Sequence, residues 1–320
     1  MDKKEIILSK PLPIPVEAFE QHFVVHRLWD APSLDALLNN IGPRVQGIAW
    51  SGPGNLDEAL FARMPSLEIV ANFGVGYDSV DATAAQRNQV VVTNTPDVLT
   101  EDVADLALGL LLATVRRLPQ ADRFARDGQW LEAPFVPTAS LQGRRVGIVG
   151  LGKIGKAIAR RCEAFNLDIL YHGRTRQPDV AYEYRGSIVE LARDTDILIL
   201  VTPGTPETRR MVNREVLDAL GPNGMLINVS RGSVVDEDDL IESLERGGIL
   251  AAGLDVFENE PDFRAELKNF DNVVLLPHIG SCTGPTRQAM GQLVLDNLTQ
   301  WFAGQGPVTP VPETPWQKAG

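Results

Sequence analysis

Short apolar runs alternate along this chain with longer stretches whose apolar residues recur at helical spacing. In the first third, Glu5–Ser9, Phe23–Leu28, Gly47–Trp50, Leu67–Ala71 and Val90–Thr93 predict strands, and Pro15–Gln21, Ser33–Asn39, Leu56–Met64 and Val80–Arg87 predict helices. Ser33 and Asn55 suit N-caps, because their side-chain oxygens can accept from the first free N–H groups of a helix. This alternation predicts a parallel sheet covered by helices. A longer helix is expected from Thr100 to Arg117. Thr100 suits its cap, Glu101 and Asp102 its positive end, and Arg116 and Arg117 its negative end. Leu106, Leu108, Leu110, Leu111 and Leu112 make it apolar almost all round, which predicts burial.

Past residue 145 the runs Val146–Val149, Asp168–His172, Ile197–Val201, Met225–Val229, Leu250–Leu254 and Val273–Leu276 read as buried parallel strands. A last helix, from Pro285 to about Trp301, is expected to return to the first domain. The Pro-rich stretch Pro307–Pro315 is expected as a surface tail.

The first of these runs is followed by Gly150, Gly152 and Gly155 in G-x-G-x-x-G spacing, and then by a helical pattern from Ile154 to Cys162. Gly150 permits a tight strand-to-helix turn, Gly152 lets a pyrophosphate approach the backbone, and Gly155 lets the helix pack close to the sheet. The pyrophosphate would sit on the unpaired N–H groups and positive dipole of the helix start. Strand, helix and the second strand Asp168–His172 complete the βαβ unit that gives this spacing its meaning. The fold class is therefore α/β, with two Rossmann-like, doubly wound parallel-sheet domains and a cleft between them. The expected divisions are residues 1–97 with 289–320, a discontinuous, flavodoxin-like substrate-binding domain, and residues 98–288, the dinucleotide-binding domain. A length of 320 residues agrees with two domains at about 150 each.

Phe73-Gly74-Val75-Gly76-Tyr77-Asp78 comes after another apolar run. Glycines at a strand end can turn backbone N–H groups outward into an anion-binding nest. A net charge of −12 argues against nucleic acid or an anionic membrane as partner. Cys162 and Cys282 stand far apart, in no metal-ligand spacing and with no disulfide framework, which fits a reducing compartment. The charged start Met1–Glu5 does not read as a signal peptide, and no apolar run approaches the ~20 residues of a membrane span. A cytoplasmic protein is expected.

Ligands of a parallel sheet bind beyond the carboxyl ends of its strands. The residues just past each apolar run are therefore where chemistry is expected. Ser230 and Arg231 come after Met225–Val229. Asp255, Glu258 and Glu260 come after Leu250–Leu254. Pro277 and His278 come after Val273–Leu276. Histidine can both give and take a proton near neutral pH, so His278 is the candidate acid/base. Glu260 would pair with it, and the planar fork of Arg231 suits a carboxylate. His22, His26 and His172 lack such a setting.

These motifs together resemble one family. Gly150–Gly155, Asn228-Val229-Ser230-Arg231-Gly232, Gly253 through Pro261 and Pro277-His278-Ile279-Gly280-Ser281 look like the D-isomer-specific 2-hydroxyacid dehydrogenases, and Phe73–Asp78 and Thr95–Asp105 match their N-terminal motifs. Val180-Ala181-Tyr182-Glu183-Tyr184 looks most like the glyoxylate/hydroxypyruvate reductase branch. The resemblance implies hydride transfer to C2 of a 2-oxo acid, with His278 as proton donor and Glu260 keeping it protonated and oriented. It implies that Arg231 and the backbone N–H groups of Val75 and Gly76 hold the substrate carboxylate, and that Asp255 tunes the proton balance. It places Thr100, Gly150, Leu151, Gly152, Lys153, Ile154, Gly155, Thr202, Pro203, Thr208, Val229, Ser230, Arg231, Asp255, His278 and Gly280 around the cofactor. A homodimer is implied, with contacts from Arg117–Gln142. Glu260 argues against the formate dehydrogenases of the superfamily, and the chain length against the long phosphoglycerate dehydrogenases.

An NAD site usually ends its second strand on Asp or Glu. Here that place reads His172-Gly173-Arg174-Thr175-Arg176, with no carboxylate from Ile169 to Pro178. Gly173, Arg174, Thr175 and Arg176 suit a 2′-phosphate, so NADPH is expected ahead of NADH. The expected activity is reduction of glyoxylate or hydroxypyruvate to D-2-hydroxy acids. Its rivals are a reductase of aryl or alkyl 2-oxo acids and a non-catalytic NAD(P)-sensing regulator, against which the intact Arg, Glu and His set weighs.

Overall fold

The structure is a computed structural model that describes residues 3–52 and 54–316. The chain forms two compact units, one running to Leu99 and resuming at Thr283, the other Thr100–Cys282.

In the first unit the apolar runs become β1 (Glu5–Leu8), β2 (Val24–Arg27), β3 (Val45–Trp50), β4 (Ile69–Asn72) and β5 (Val91–Thr93). They lie in the order β2-β1-β3-β4-β5, with every pairing parallel. Side chains alternate along a strand, so both faces of the sheet need cover. Ile7, Ile48, Val70 and Val92 pack with Leu38, Phe61 and Ala85 on one face. Ile6, Leu8, Ala49 and Ile69 pack on the other with Phe19, Val294, Leu295 and Leu298. The last three come from the helix Gly284–Phe302, which belongs to this first unit.

Two local expectations fail here. Asn55 is not a cap: Leu56 is still extended, bridged to Val80. Asp57 caps the short helix Glu58–Phe61 instead, its carboxylate accepting from the N–H of Leu60. Nor is Pro307–Pro315 a surface tail. Pro310 bridges antiparallel to Thr93, Val311 and Thr314 are buried, and the Thr314 hydroxyl accepts from the N–H of Val92 at 2.9 Å. Proline content had suggested an unpaired chain. Proline bars only the donor half of a ladder, and an edge strand tolerates that.

The second unit holds β6 (Arg145–Val149), β7 (Asp168–His172), β8 (Glu183–Tyr184), β9 (Ile197–Leu200), β10 (Met225–Asn228), β11 (Ala251–Leu254) and β12 (Val273–Leu275), in the order β12-β11-β10-β9-β6-β7-β8. All pairings are parallel. From β6 the chain winds outward to β7 and β8, then crosses back to β9. The direction of winding thus reverses between β6 and β9, which is where a doubly wound sheet opens a crevice.

The helix Thr100–Arg116 covers one face of this sheet. It buries Leu108, Leu110 and Leu111, but Leu106 and Leu112 are only half-buried and Gly109 is exposed, so it is not enclosed all round. Thr100 lies inside the first turn rather than at the cap, and the helix stops before Arg117, whose φ of 52° is left-handed. A further helix, Leu118–Arg126, starts there with a proline in its first turn, where the missing N–H costs nothing. Among the described residues no helix is long and apolar enough to cross a membrane.

Candidate active site

At the end of β6 the chain turns at Gly150 (φ 99°) directly into the helix Lys153–Ala164. A Cβ at residue 155 would lie 2.2 Å from the carbonyl oxygen of Gly150, so only glycine lets the helix start this close to the strand. A Cβ at Gly152 would meet nothing within 4 Å. Gly152 is also the N-cap, with no side chain to accept from the first turn. The helix's positive end therefore opens onto free space beside Leu151, Lys153 and Ile154. That cradle fits the pyrophosphate of a dinucleotide.

Beyond β7, Arg174, Thr175 and Arg176 are exposed. The Thr205 hydroxyl, helped by the nearby charge of Arg174, holds the Glu207 carboxyl below its ordinary range. The loop is fastened from three sides. The Tyr184 hydroxyl donates to the Gly173 carbonyl at 3.2 Å, the Tyr171 hydroxyl accepts from the N–H of Gln177 at 2.7 Å, and the Gln177 amide donates to the Leu151 carbonyl at 2.6 Å. Gln177 thus ties the paired arginines to the glycine turn. No sequence signal marked it.

Thr202 and Pro203 leave the end of β9, and the Thr208 hydroxyl donates to the Pro203 carbonyl at 2.7 Å. After β10, the N–H of Val229 reaches the Leu200 carbonyl at 3.3 Å. Buried Asn228 clamps the next turn: its oxygen accepts from both the N–H and the hydroxyl of Ser230, and its amide donates to the Arg231 carbonyl. Gly232 presses on the loop after β11 so tightly that a Cβ there would stand 1.8 Å from the carbonyl carbon of Phe257.

That neighbouring loop carries the acid. The Glu260 carboxylate accepts from the N–H of Phe257 at 3.0 Å and from the His278 ring nitrogen Nδ1 at 2.7 Å. Partial burial pushes the Glu260 carboxyl up. The His278 hydrogen bond, the Phe257 N–H and the charges of His278 and Arg231 outweigh it, leaving it below the ordinary carboxylate range. It is ionised at neutral pH and holds Nδ1 of His278; Nε2 makes no hydrogen bond among the described residues, and the side chain is 47% exposed. Glu237, itself buried, accepts from the N–H of Glu258 at 2.8 Å and supports the same loop.

His278 itself has a φ of 53°, uncommon for a residue with a side chain. Asp255 explains how that is held. Its backbone carbonyl accepts from the N–H of His278 at 2.9 Å. Its carboxylate accepts from the N–H groups of Ile279 and Gly280 at 2.8 and 2.9 Å. Three successive N–H groups converge on one residue, which aims the imidazole. Burial keeps the Asp255 carboxyl above its ordinary range despite these two donors and the His278 charge. A Cβ at Gly280 would lie 3.6 Å from Val103, in the first turn of the helix that Thr100 begins.

Val75 and Gly76 belong to the other unit, in the turn after β4. The turn's carbonyls face inward. The Asn72 amide donates to those of Gly74 and Gly76 at 3.2 and 3.0 Å, and the Asn94 amide to that of Val75 at 2.9 Å. The N–H of Thr95 also reaches the Gly74 carbonyl. The N–H groups of Val75 and Gly76 make no such bonds among the described residues, a geometry suited to an anion. Asn72 and Asn94 were missed in sequence; the signal was an amide side chain at the end of each of two adjacent strands.

A family model described as "D-isomer specific 2-hydroxyacid dehydrogenase, NAD binding domain" matches residues 108–280. A glyoxylate/hydroxypyruvate reductase A of Arabidopsis thaliana is 45% identical over 97% of this chain and 100% of its own. A hydroxyphenylpyruvate reductase of Plectranthus scutellarioides is 44% identical over the same shares. Among solved structures, an NADPH-dependent glyoxylate/hydroxypyruvate reductase of Sinorhizobium meliloti, in complex with NADP and malonate, superposes with a TM-score of 0.92 at 47% identity, covering 100% of both chains.

Proposed function

Because this chain belongs to the D-isomer-specific 2-hydroxyacid dehydrogenase family, we propose that it catalyses the NADPH-dependent reduction of glyoxylate and hydroxypyruvate to D-2-hydroxy acids. The observation that carries the reading is the Glu260–His278 pair, 2.7 Å apart, on the sheet edge that also presents the glycine turn. When bound, the dinucleotide supplies the hydride that C2 of the 2-oxo acid takes up. Nε2 of His278 gives its proton to the carbonyl oxygen as that oxygen gains charge, and recovers one from water. Glu260 stabilises the charged imidazole before transfer and holds its orientation. Arg231 holds the carboxylate and draws electron density from the carbonyl. In the first unit, the outward N–H groups of Val75 and Gly76 are suited to a carboxylate.

NADPH is preferred because Arg174 and Arg176 stand exposed where an NAD site would carry an acid. A charge-assisted contact to the 2′-phosphate contributes about 1.5–3 kcal/mol, roughly tenfold to hundredfold. Wild-type enzyme should oxidise NADPH on addition of glyoxylate, with kcat/KM at least about tenfold above that for NADH. Arg174→Ala should narrow that ratio. Equal use of the two cofactors by wild type would refute the preference, and no turnover with either would refute the activity. The hydroxyphenylpyruvate reductase relative favours one second reading, a larger aryl substrate. Adding 4-hydroxyphenylpyruvate to the same assay decides it.

The working form is a homodimer in the cytoplasm. Leu118, Trp130, Leu131 and Val136 expose large apolar side chains within one segment, Leu131 at 93%. Covering such a patch with a second copy removes it from water. Trp130→Glu combined with Leu131→Glu should convert a dimer to a monomer in light scattering; a wild type that is already monomeric contradicts the assignment. Both cysteines are free thiols, and burial pushes Cys162 up to about 12, which suits a reducing compartment.

A further inference from the structure

The amide nest of Val75 and Gly76 is wired to the C-terminal segment through a chain of hydrogen bonds that lies wholly within the first unit. The Asn94 side chain fixes the Val75 carbonyl at 2.9 Å. The Asn94 backbone carbonyl accepts from the Thr309 hydroxyl at 2.6 Å, and its N–H donates to the Thr309 carbonyl at 3.3 Å. The same Thr309 hydroxyl accepts from the Asn297 amide at 3.0 Å. Asn297 is fully buried in the helix Gly284–Phe302. Its oxygen accepts from the N–H groups of Val308 and Thr309 at 2.9 and 3.0 Å, and its amide also donates to the Leu293 carbonyl at 2.8 Å. Every hydrogen-bonding position of Asn297 is thereby used. A side chain so fully bonded in a buried site has one orientation open to it. Further along, the Tyr77 hydroxyl, one residue past Gly76, donates to Glu313 at 2.9 Å.

We propose that Asn297, Thr309 and Asn94 are positioning residues for substrate carboxylate binding, acting in series to keep the Val75 carbonyl turned inward so that the neighbouring N–H groups face the anion. None of the three touches substrate. The C-terminal segment is thus part of the binding apparatus for a 2-oxo acid. This rests on the reading that Val75 and Gly76 take the carboxylate.

The test is steady-state kinetics of glyoxylate reduction at saturating NADPH. Thr309→Val keeps the shape of the side chain and removes the hydroxyl that links Asn297 to Asn94. It should raise KM for glyoxylate roughly three- to tenfold, the effect of one lost hydrogen bond, and leave kcat and the KM for NADPH within about twofold. Thr309→Ser restores the hydroxyl and should restore KM. Asn94→Leu, which frees the Val75 carbonyl directly, should raise KM at least as far. Unchanged KM in both Thr309→Val and Asn94→Leu overturns the proposal. So does a fall in kcat equal to the rise in KM, or a failure of Thr309→Ser to rescue, since both mark general damage. Val75→Pro deletes one amide donor and tests the underlying reading separately. If it leaves KM for glyoxylate unmoved, the carboxylate does not bind there. If it raises KM while Thr309→Val does not, only the series through Asn297 fails.

Discussion

Replacing His278 by alanine is expected to lower kcat for glyoxylate reduction about 10²–10⁴-fold, equivalent to roughly 3–5 kcal/mol of transition-state stabilisation. The side chain is exposed and, among the described residues, its ring bonds to Glu260, so truncation opens no core cavity. NADPH affinity, read by fluorescence titration, should stay within about threefold, because the glycine turn and the paired arginines are untouched. Turnover that survives the substitution removes His278 from the mechanism. The Glu260 carboxyl lies below its ordinary range and is negative at neutral pH. Glu260→Gln removes that charge while retaining an acceptor for the N–H of Phe257. It should lower kcat for glyoxylate reduction while NADPH affinity holds. Unchanged kcat would mean that the charge of Glu260 plays no part.

Gly232→Ala is expected to be far more destructive than the addition of one methyl group suggests. That methyl would stand 1.8 Å from the carbonyl carbon of Phe257, 2.1 Å from its oxygen and 2.2 Å from the nitrogen of Glu258. All three are backbone atoms, so no side chain can swing aside. The turn bearing Arg231 and the loop bearing Glu260 must separate. Overpacking of this kind typically costs about 1–3 kcal/mol, a drop in Tm of roughly 2–12 °C for a unit this size. The larger consequence is catalytic. Displacing a carboxylate ligand by about 1 Å can cost on the order of 10² in rate, so kcat/KM should fall by at least that factor even at temperatures where the protein is folded. Wild-type kcat/KM in Gly232→Ala would show that the two loops need not touch.

Much of this arrangement was legible in the sequence because parallel strands are short, apolar and buried on both faces. Each one ends where the chain must turn polar, and Arg231, Glu260 and His278 stand past three such ends. The features that were not legible are of two kinds. Some elements are too slight for periodicity to register: β8 has only two residues, and the helix Leu118–Arg126 is hidden by the left-handed break at Arg117. Others depend on partners remote in sequence. Nothing local to Asp255 says that three N–H groups will close upon it, and nothing local to Gln177 says that it will reach back to Leu151. Asn55 lost the cap to Asp57 because Leu56 was drawn into an extended bridge with Val80, a tertiary choice that propensity does not see.

The return of the chain at Thr283 to complete the first sheet bears on how the polypeptide is made. Thr100–Cys282 is contiguous and can fold as soon as it emerges from the ribosome. The β-strands before it cannot, since Val294, Leu295 and Leu298 of their apolar cover are still to be translated. At about 5–20 residues per second, that half-built sheet waits roughly ten to forty seconds for its missing helix. During nascent-chain synthesis this enzyme therefore matures from the middle outward, and its earliest segment is the one in greatest need of a chaperone.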